Sequence, residues 1–155
     1  NRSHETKFPK KIKYYADLKR HIKKIQKTED NLIVMGDFNV APSPFDIGIG
    51  EINAKRWLKE GKTAFLPEEI DMWNSIKDLG FIDSWREQNP DEGSIYSWFD
   101  YRSRMFDDTP KRGLRIDHIL IAEHMKKHIK ETGIDYIARA MEKPSDHCPV
   151  WLELK

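Results

Sequence analysis

The sequence predicts one domain of the α/β or α+β class, built from layers of helices and strands. Its 155 residues fit a single domain. Segments with the three- and four-residue apolar spacing of helices alternate with short apolar runs of strand length, which is typical of layered folds. No internal repeat or low-complexity tract is visible. Apolar residues make up 38%, so five Trp, five Tyr and seven Phe must supply much of the core.

The first predicted helix covers residues 9–27. Pro9 suits the first helical turn, where its missing N–H costs nothing. Apolar residues follow at helical steps, at Ile12, Tyr15, Leu18, Ile22 and Ile25. A short apolar run over 31–35 predicts a strand, and the two prolines and two glycines of 40–50 predict a loop.

Two more helices are predicted in the middle of the chain. Residues 51–60 suit a short helix. A longer one begins at Pro67, carries two glutamates in its first turn and ends at Gly80. The segment 81–85 is apolar and fits either a strand or a helix.

The last part of the chain is predicted to be rich in strands. We expect a short helix over 123–130 and a polar loop that ends at Gly113. The expected strands cover 94–99, 114–122, 134–140 and 149–154.

Charge alone does not indicate a nucleic-acid partner. The formal net charge is +1 and the pI is about 8.0, below the value of about 9 that marks many nucleic-acid-binding domains. Nine Lys and Arg residues gather in 7–27 against one acid, Asp17. A solvated helix face is the simpler explanation of that run.

A single cysteine, Cys148, excludes an intrachain disulfide and favours a reducing compartment. Its place before an apolar run favours packing over a role as a catalytic thiol. No apolar run reaches the ~18 residues of a membrane span, and no signal peptide is visible. We therefore expect a cytoplasmic protein without membrane association.

The first candidate cluster, Asp37 and Asn39, directly follows the apolar strand of 31–35. Residues two apart on an extended segment point to the same side. The carboxylate can polarise a water molecule, and the amide can position it or hold a phosphoryl oxygen. Both residue types also favour turns, which is the alternative explanation.

The second cluster is Arg115-Ile116-Asp117-His118, inside a predicted strand. Alternation puts Arg115 and Asp117 on one face and His118 on the other. A carboxylate on a largely apolar strand needs a partner if it is buried. We expect a structural role for His118.

The third cluster, Asp146 and His147, directly precedes the last strand. A histidine partnered by a carboxylate keeps one tautomer and a raised pKa. Such a pair suits general-base or electrostatic work on a phosphate, although a lone surface histidine in a turn remains the alternative. Together with Asp37 and Asp117, Asp146 also offers the oxygen ligands that Mg²⁺ or Mn²⁺ prefers.

An aromatic segment, 97–102, adds three rings in four positions beside a loop that carries several basic residues. These rings can stack or wedge against DNA. Core packing is the alternative.

Together these segments resemble the exonuclease III branch of the exonuclease–endonuclease–phosphatase superfamily. The superfamily motifs occur in the expected order, as Gly36-Asp37-Phe38-Asn39, Arg115-Ile116-Asp117 and Ser145-Asp146-His147. More specific similarity lies at 46–51, 65–69, 97–103, 113–117, 132–136 and 141–147. The similarity runs from about Phe8 to the C-terminus.

The resemblance implies a DNase I-like four-layer α/β sandwich and a DNA-repair nuclease that uses Mg²⁺ or Mn²⁺. Its implied reactions are removal of nucleotides from 3′ ends of duplex DNA, 3′-phosphatase and phosphodiesterase activity, and incision 5′ to abasic sites. The partner would be double-stranded DNA with abasic sites or 3′ ends. The parent enzyme is expected to be a monomer.

The resemblance also assigns roles. Asp37 would orient or activate the attacking water, with Asn39 beside it, and would bind the metal together with Asp146. His147 would pair with Asp117 and act on the scissile phosphate. The DNA-contacting residues would be Trp98, with Phe99 or Leu114 nearby, at the flipped-out sugar, and Lys62, Arg102 and Arg112 at phosphates.

Only the second half of the family's sandwich is matched. The first half supplies an asparagine, the main metal-binding glutamate and a tyrosine, and no segment here corresponds to them. We therefore expect residues 1–155 to be the C-terminal portion of one domain, with an exposed apolar face and the missing N-terminal half as a partner. Alone, the chain should bind metal weakly and show little or no activity. The competing hypotheses are a phosphatase of the same superfamily and a non-catalytic DNA-binding or interaction module.

Overall fold

The computed structural model describes residues 4–155, which form five α-helices and five strands. The helices are α1 (Lys7–Ile25), α2 (Glu51–Lys59), α3 (Pro67–Lys77), α4 (Ser84–Gln88) and α5 (Tyr136–Arg139). The strands are β1 (Ile33–Asp37), β2 (Phe81–Asp83), β3 (Asp117–Ala122), β4 (Ile129–Ile134) and β5 (Val150–Leu154). Short 3₁₀ turns occur at Pro44–Asp46, Tyr101–Ser103 and Glu123–His128.

The strands form two antiparallel sheets. The larger sheet has the order β1-β3-β2, and the smaller one pairs β4 with β5. In the register of β1 and β3, Asp37 lies opposite Asp117. Two predicted site residues therefore meet at one end of the larger sheet.

The described residues stack in layers on both sides of the larger sheet. Helices α1 and α3 cover one face of the larger sheet, where Tyr15, Trp73 and Leu120 share a core. The smaller sheet covers the other face, where Val150 and Leu152 pack against Ile121. A further core lies under the loops that surround the site described below.

Strand β1 is incompletely covered. Its side chains Ile33 and Met35 are 43% and 66% exposed, and neither belongs to the core between the sheets. Among residues 4–155, only β3 pairs with β1, so the outer edge of β1 is open. This agrees with the expected exposed apolar face.

Two predicted strands are wrong. Residues 94–99 make only isolated bridges, through Trp98 to Leu114 and to His147, because this segment wraps around the site instead of joining a sheet. Residues 134–140 contain α5, because the Asp135 side chain accepts hydrogen bonds from two peptide N–H groups and starts a helix.

Other boundaries differ less. The expected strand over 114–122 begins only at Asp117, while Leu114 makes isolated bridges. The ambiguous segment 81–85 contains both structures, since β2 ends at Asp83 and the Asp83 carboxylate caps α4 by accepting from the Arg86 N–H. The helix expected over 123–130 is a 3₁₀ turn that ends at His128.

Within the part of the chain that the structure describes, no helix has both the length and the apolar character needed to span a bilayer.

Candidate active site

An aspartate–histidine pair lies at the centre of the site. The His147 Nδ1 atom is 3.0 and 2.9 Å from the two carboxylate oxygens of Asp117. This hydrogen bond raises the pKa of His147 above its ordinary value, while partial burial acts in the opposite direction. The predicted pairing of these residues, 30 positions apart, is present in the structure.

Asp37 completes the cluster from the end of β1. Ligand atoms of Asp37, Asp117 and His147 all lie within 4.8 Å of one another. Directly after Asp37 the chain turns sharply, and Asn39 has a φ of 52°. The Asn39 peptide N–H donates to Asp37 Oδ1 at 2.7 Å, so the turn also orients the carboxylate. Asp37 and Asn39 therefore form a turn, and the same turn holds the Asp37 carboxylate in the cluster.

Ser97 orients Asp117, a role that the sequence did not reveal. Its hydroxyl donates to Asp117 Oδ2 at 2.6 Å and accepts the peptide N–H groups of Ile116 and Asp117, each at 3.0 Å. The side chain is fully buried. The sequence contained one indication that Ser97 matters, its place in the family-like motif 97–103. No local pattern, however, links that segment to Asp117.

Asp146 stands apart from this cluster. Its Oδ2 atom accepts from the Trp98 indole N–H at 3.0 Å, and its carbonyl accepts from the Phe99 peptide N–H at 2.9 Å. Asp146 thereby fixes the Trp98 ring beside His147. It is not among the three residues whose ligand atoms converge.

A pocket of about 190 Å³ opens next to His147. Trp98 and Leu114 line it, as expected, whereas Phe99 is 0% exposed and packs in the core against Tyr136. Of the two alternatives expected near Trp98, Leu114 is the one that lines this pocket. The other lining residues are Asn39, Trp57, Thr63, Ala64 and Ile116, and three of these, Trp57, Thr63 and Ala64, had not been singled out.

A second pocket of about 270 Å³ adjoins the first through Trp57, which lines both. It contains the predicted phosphate contacts Lys62 and Arg112, and Arg56 adds a third cation. Arg102 lines neither pocket and lies exposed in the 3₁₀ turn at Tyr101–Ser103.

His118 has the structural role predicted for it. Its Nδ1 atom contacts an Arg115 guanidinium nitrogen at 2.9 Å, and its Nε2 atom contacts the Val40 carbonyl at 2.8 Å. Arg115 also binds Asp46 and Asp83, each at 2.7 Å. Because Arg115 contacts His118, it does not group with Asp117 as simple alternation predicted.

The residues present fit a divalent cation that prefers oxygen ligands. Two carboxylates, Asp37 and Asp117, converge beside His147. Asp117 is already shared between Ser97 and His147, which leaves Asp37 as the acid of this trio best suited to a metal.

A model of the endonuclease/exonuclease/phosphatase family matches residues 1–147. Exodeoxyribonuclease III of Haemophilus influenzae is 50% identical over the whole chain, which corresponds to 57% of that protein. The chain spans about half the length of the curated relatives that it matches.

Solved structures agree with this result. A 3′ phosphatase of Neisseria bound to a product DNA hairpin has a TM-score of 0.87 and 34% identity, covering 98% of this chain and 56% of that one. An AP endonuclease from Archaeoglobus fulgidus gives 0.81 and 28%, with the same coverage. The expected DNase I-like fold is confirmed.

Proposed function

The chain belongs to the endonuclease/exonuclease/phosphatase family, and we propose that it forms part of a DNA-repair nuclease of the exonuclease III type. This enzyme would remove nucleotides from 3′ ends of duplex DNA and incise 5′ to abasic sites. The observation that carries the proposal is the convergence of Asp37, Asp117 and His147 next to a pocket lined by Trp98 and Leu114.

The proposed chemistry is hydrolysis of a phosphodiester. Asp37, oriented by the Asn39 peptide, would hold the attacking water and accept its proton. Asp117 raises the pKa of His147, so the imidazole carries positive charge over a wider pH range. It would stabilise the charge that develops on the phosphoryl oxygens as the bond to the 3′ oxygen breaks.

The 190 Å³ pocket suits a sugar that has lost its base. A flipped-out abasic sugar would enter between Trp98 and Leu114, leaving its phosphate near His147. Lys62, Arg112 and Arg102 would contact neighbouring phosphates, which fixes the position of the duplex and makes binding depend on salt.

Mg²⁺, or Mn²⁺ in its place, is the proposed cofactor, held by Asp37. When bound, the ion would offset phosphate charge and stabilise the leaving oxygen.

Residues 1–155 are proposed to be one portion of a single domain, completed by the remaining half of the same fold. The open edge of β1 and the exposed Ile33 and Met35 support such a partner. Alone, the chain should bind metal weakly and cleave little DNA. We expect the complete protein to be a monomer in the cytoplasm, with Cys148 as a buried free thiol.

Nicking of a duplex with one abasic site tests this proposal. The chain and its His147→Ala variant are assayed with Mg²⁺ and with EDTA, alone and after mixing with the part of the Haemophilus relative that the chain does not match. We expect Mg²⁺-dependent nicking only in the mixture that contains intact His147. Nicking by the chain alone would contradict its proposed incompleteness.

A substrate panel separates the competing functions. Turnover of an inositol phosphate but not of abasic DNA would favour a phosphatase of the same family. Duplex binding without cleavage in every mixture would favour a non-catalytic DNA-binding module. A 3′-phosphorylated duplex belongs in the panel because one structural neighbour is a 3′ phosphatase.

A further inference from the structure

Two residues that line the reaction pocket have a positive φ although neither is glycine. Asn39 has a φ of 52° and Ala64 a φ of 108°, and both line the 190 Å³ pocket. Asparagine adopts this conformation readily, but for Ala64 it is costly and persists only where surrounding contacts enforce it. The contacts that hold these two turns therefore determine the shape of the pocket.

One ion pair holds both turns. Lys11, on α1, donates to the Asn39 carbonyl at 2.7 Å and to Glu69 Oε1 at 2.5 Å. The other carboxylate oxygen of Glu69 accepts from the peptide N–H groups of Ala64 and Leu66, at 2.7 and 3.0 Å. The Lys11 and Glu69 side chains are only 17% and 0% exposed.

The same contacts extend to the reacting groups. The Asn39 carbonyl accepts from Lys11, and the N–H of the same residue donates to Asp37 Oδ1. The two turns are also joined directly, since the Ala41 N–H donates to the Ala64 carbonyl at 2.6 Å. A shift of Lys11 would thus change both the Asp37 carboxylate and the pocket wall.

We propose that Lys11 and Glu69 are positioning residues that set the Asp37 carboxylate and the width of the sugar pocket. This inference rests on the proposed function, because it assigns the pocket to a DNA sugar. Among the lysines of α1, Lys11 is the one that makes these contacts. Lys13, by contrast, has a side chain that is 76% exposed and pairs with Asp17 on the solvent side.

Binding to a duplex that carries one tetrahydrofuran abasic analogue tests the inference, with an intact duplex of the same sequence for comparison and EDTA present. Lys11→Met should reduce the preference for the abasic duplex about tenfold, the effect of losing one charged hydrogen bond. Lys11→Arg should restore part of it. Lys13→Met should leave the preference for the abasic duplex unchanged. An unchanged preference in folded Lys11→Met would overturn the proposal.

Amide NMR spectra of the chain without DNA test the positioning role of Lys11 independently of the proposed function. Lys11→Met should move the amide signals of Asn39 and Ala64, whereas Lys13→Met should leave them in place. If the wild-type chain mixed with the missing half shows no preference for abasic DNA, the proposed substrate is wrong, and these signals still decide whether Lys11 positions the turns. Unmoved signals would refute it.

The double variant Lys11→Met/Glu69→Gln covers the case in which a lone buried glutamate unfolds the chain. It removes both charges and keeps an oxygen that can accept from the Ala64 N–H. With a native circular dichroism spectrum, it should show the same loss of abasic preference as the single variant. A wild-type preference in this double variant would also overturn the proposal.

Discussion

Two aspartate–histidine pairs meet at the start of β3, and their surroundings give them different roles. His118 and Asp83 have side chains that are 0% and 6% exposed, and Arg115 contacts both. His147 and Asp117 keep 30% and 12% of their side chains exposed, beside the pocket. The residue types are the same, so burial and the number of partners separate the structural pair from the reactive one.

The partners of His118 explain why its ring has no part in the pocket. The His118 Nδ1 atom lies 2.9 Å from an Arg115 guanidinium nitrogen, and its Nε2 atom lies 2.8 Å from the Val40 carbonyl oxygen. Both nitrogens are occupied, and His118 has no position left for substrate. Burial would raise the pKa of Asp83, but Arg115 and His118 outweigh it and hold that pKa well below its usual range.

Removal of Arg115 should give the largest effect on stability. Arg115→Met leaves Asp83 buried without its arginine and Asp46 with Arg86 as its remaining cation, and we expect a loss of about 3–5 kcal/mol in the free energy of unfolding. Urea denaturation followed by circular dichroism measures it. The exposed Arg102, changed to Met, should alter stability by less than about 0.5 kcal/mol. Similar effects for the two arginines would contradict the assigned importance of the buried network.

Matched changes in the two histidines should separate stability from chemistry. His118→Gln strands a buried guanidinium nitrogen or the Val40 carbonyl, and we expect a loss of about 1–3 kcal/mol. His147→Gln should change stability by under about 1 kcal/mol and lower nicking by the completed enzyme about 10²–10⁴-fold. The same two assays on both variants provide the control. Equal loss of stability would show that His147 is also structural.

The smallest expected effect is on the pH dependence of stability. The pKa of folded His147 is raised, chiefly by its hydrogen bond to Asp117, above the unfolded value of about 6.5. Its contribution to stability is therefore fully present below that unfolded value and is lost as pH rises through the folded pKa. NMR titration should show His147 in the folded chain titrating above the histidines of the urea-unfolded chain. Asp117→Asn should lower its pKa, and no change in that variant would argue against the pair.

The sequence predicted those parts of the site that lie within short motifs. Asp37 with Asn39 and Asp146 with His147 are separated by two positions or fewer, and family resemblance supplied the pairing of His147 with Asp117. The structural role of His118 followed from strand alternation. In each case the relevant information was local or was carried by a recognisable motif.

The remaining features depend on contacts between distant segments. Ser97 reaches Asp117 across 20 residues, and Lys11 reaches Asn39 across 28. No periodicity encodes such distances. The helix at Tyr136–Arg139 was missed for another reason, since one capping aspartate outweighed the apolar pattern that favoured a strand. Phe99 and Leu114 were equal candidates for the pocket, and both are buried in one core, but only Leu114 also lines the pocket.

The open edge of β1 has a practical consequence for work with the isolated chain. The unpaired edge of β1, a strand that carries the exposed Ile33 and Met35, offers a template on which other molecules can add strands. Concentrated preparations should therefore aggregate more readily, because the open β1 edges of two molecules can pair with each other. A charged substitution at Met35, which faces solvent, should improve solubility without touching the Asp117–His147 pair.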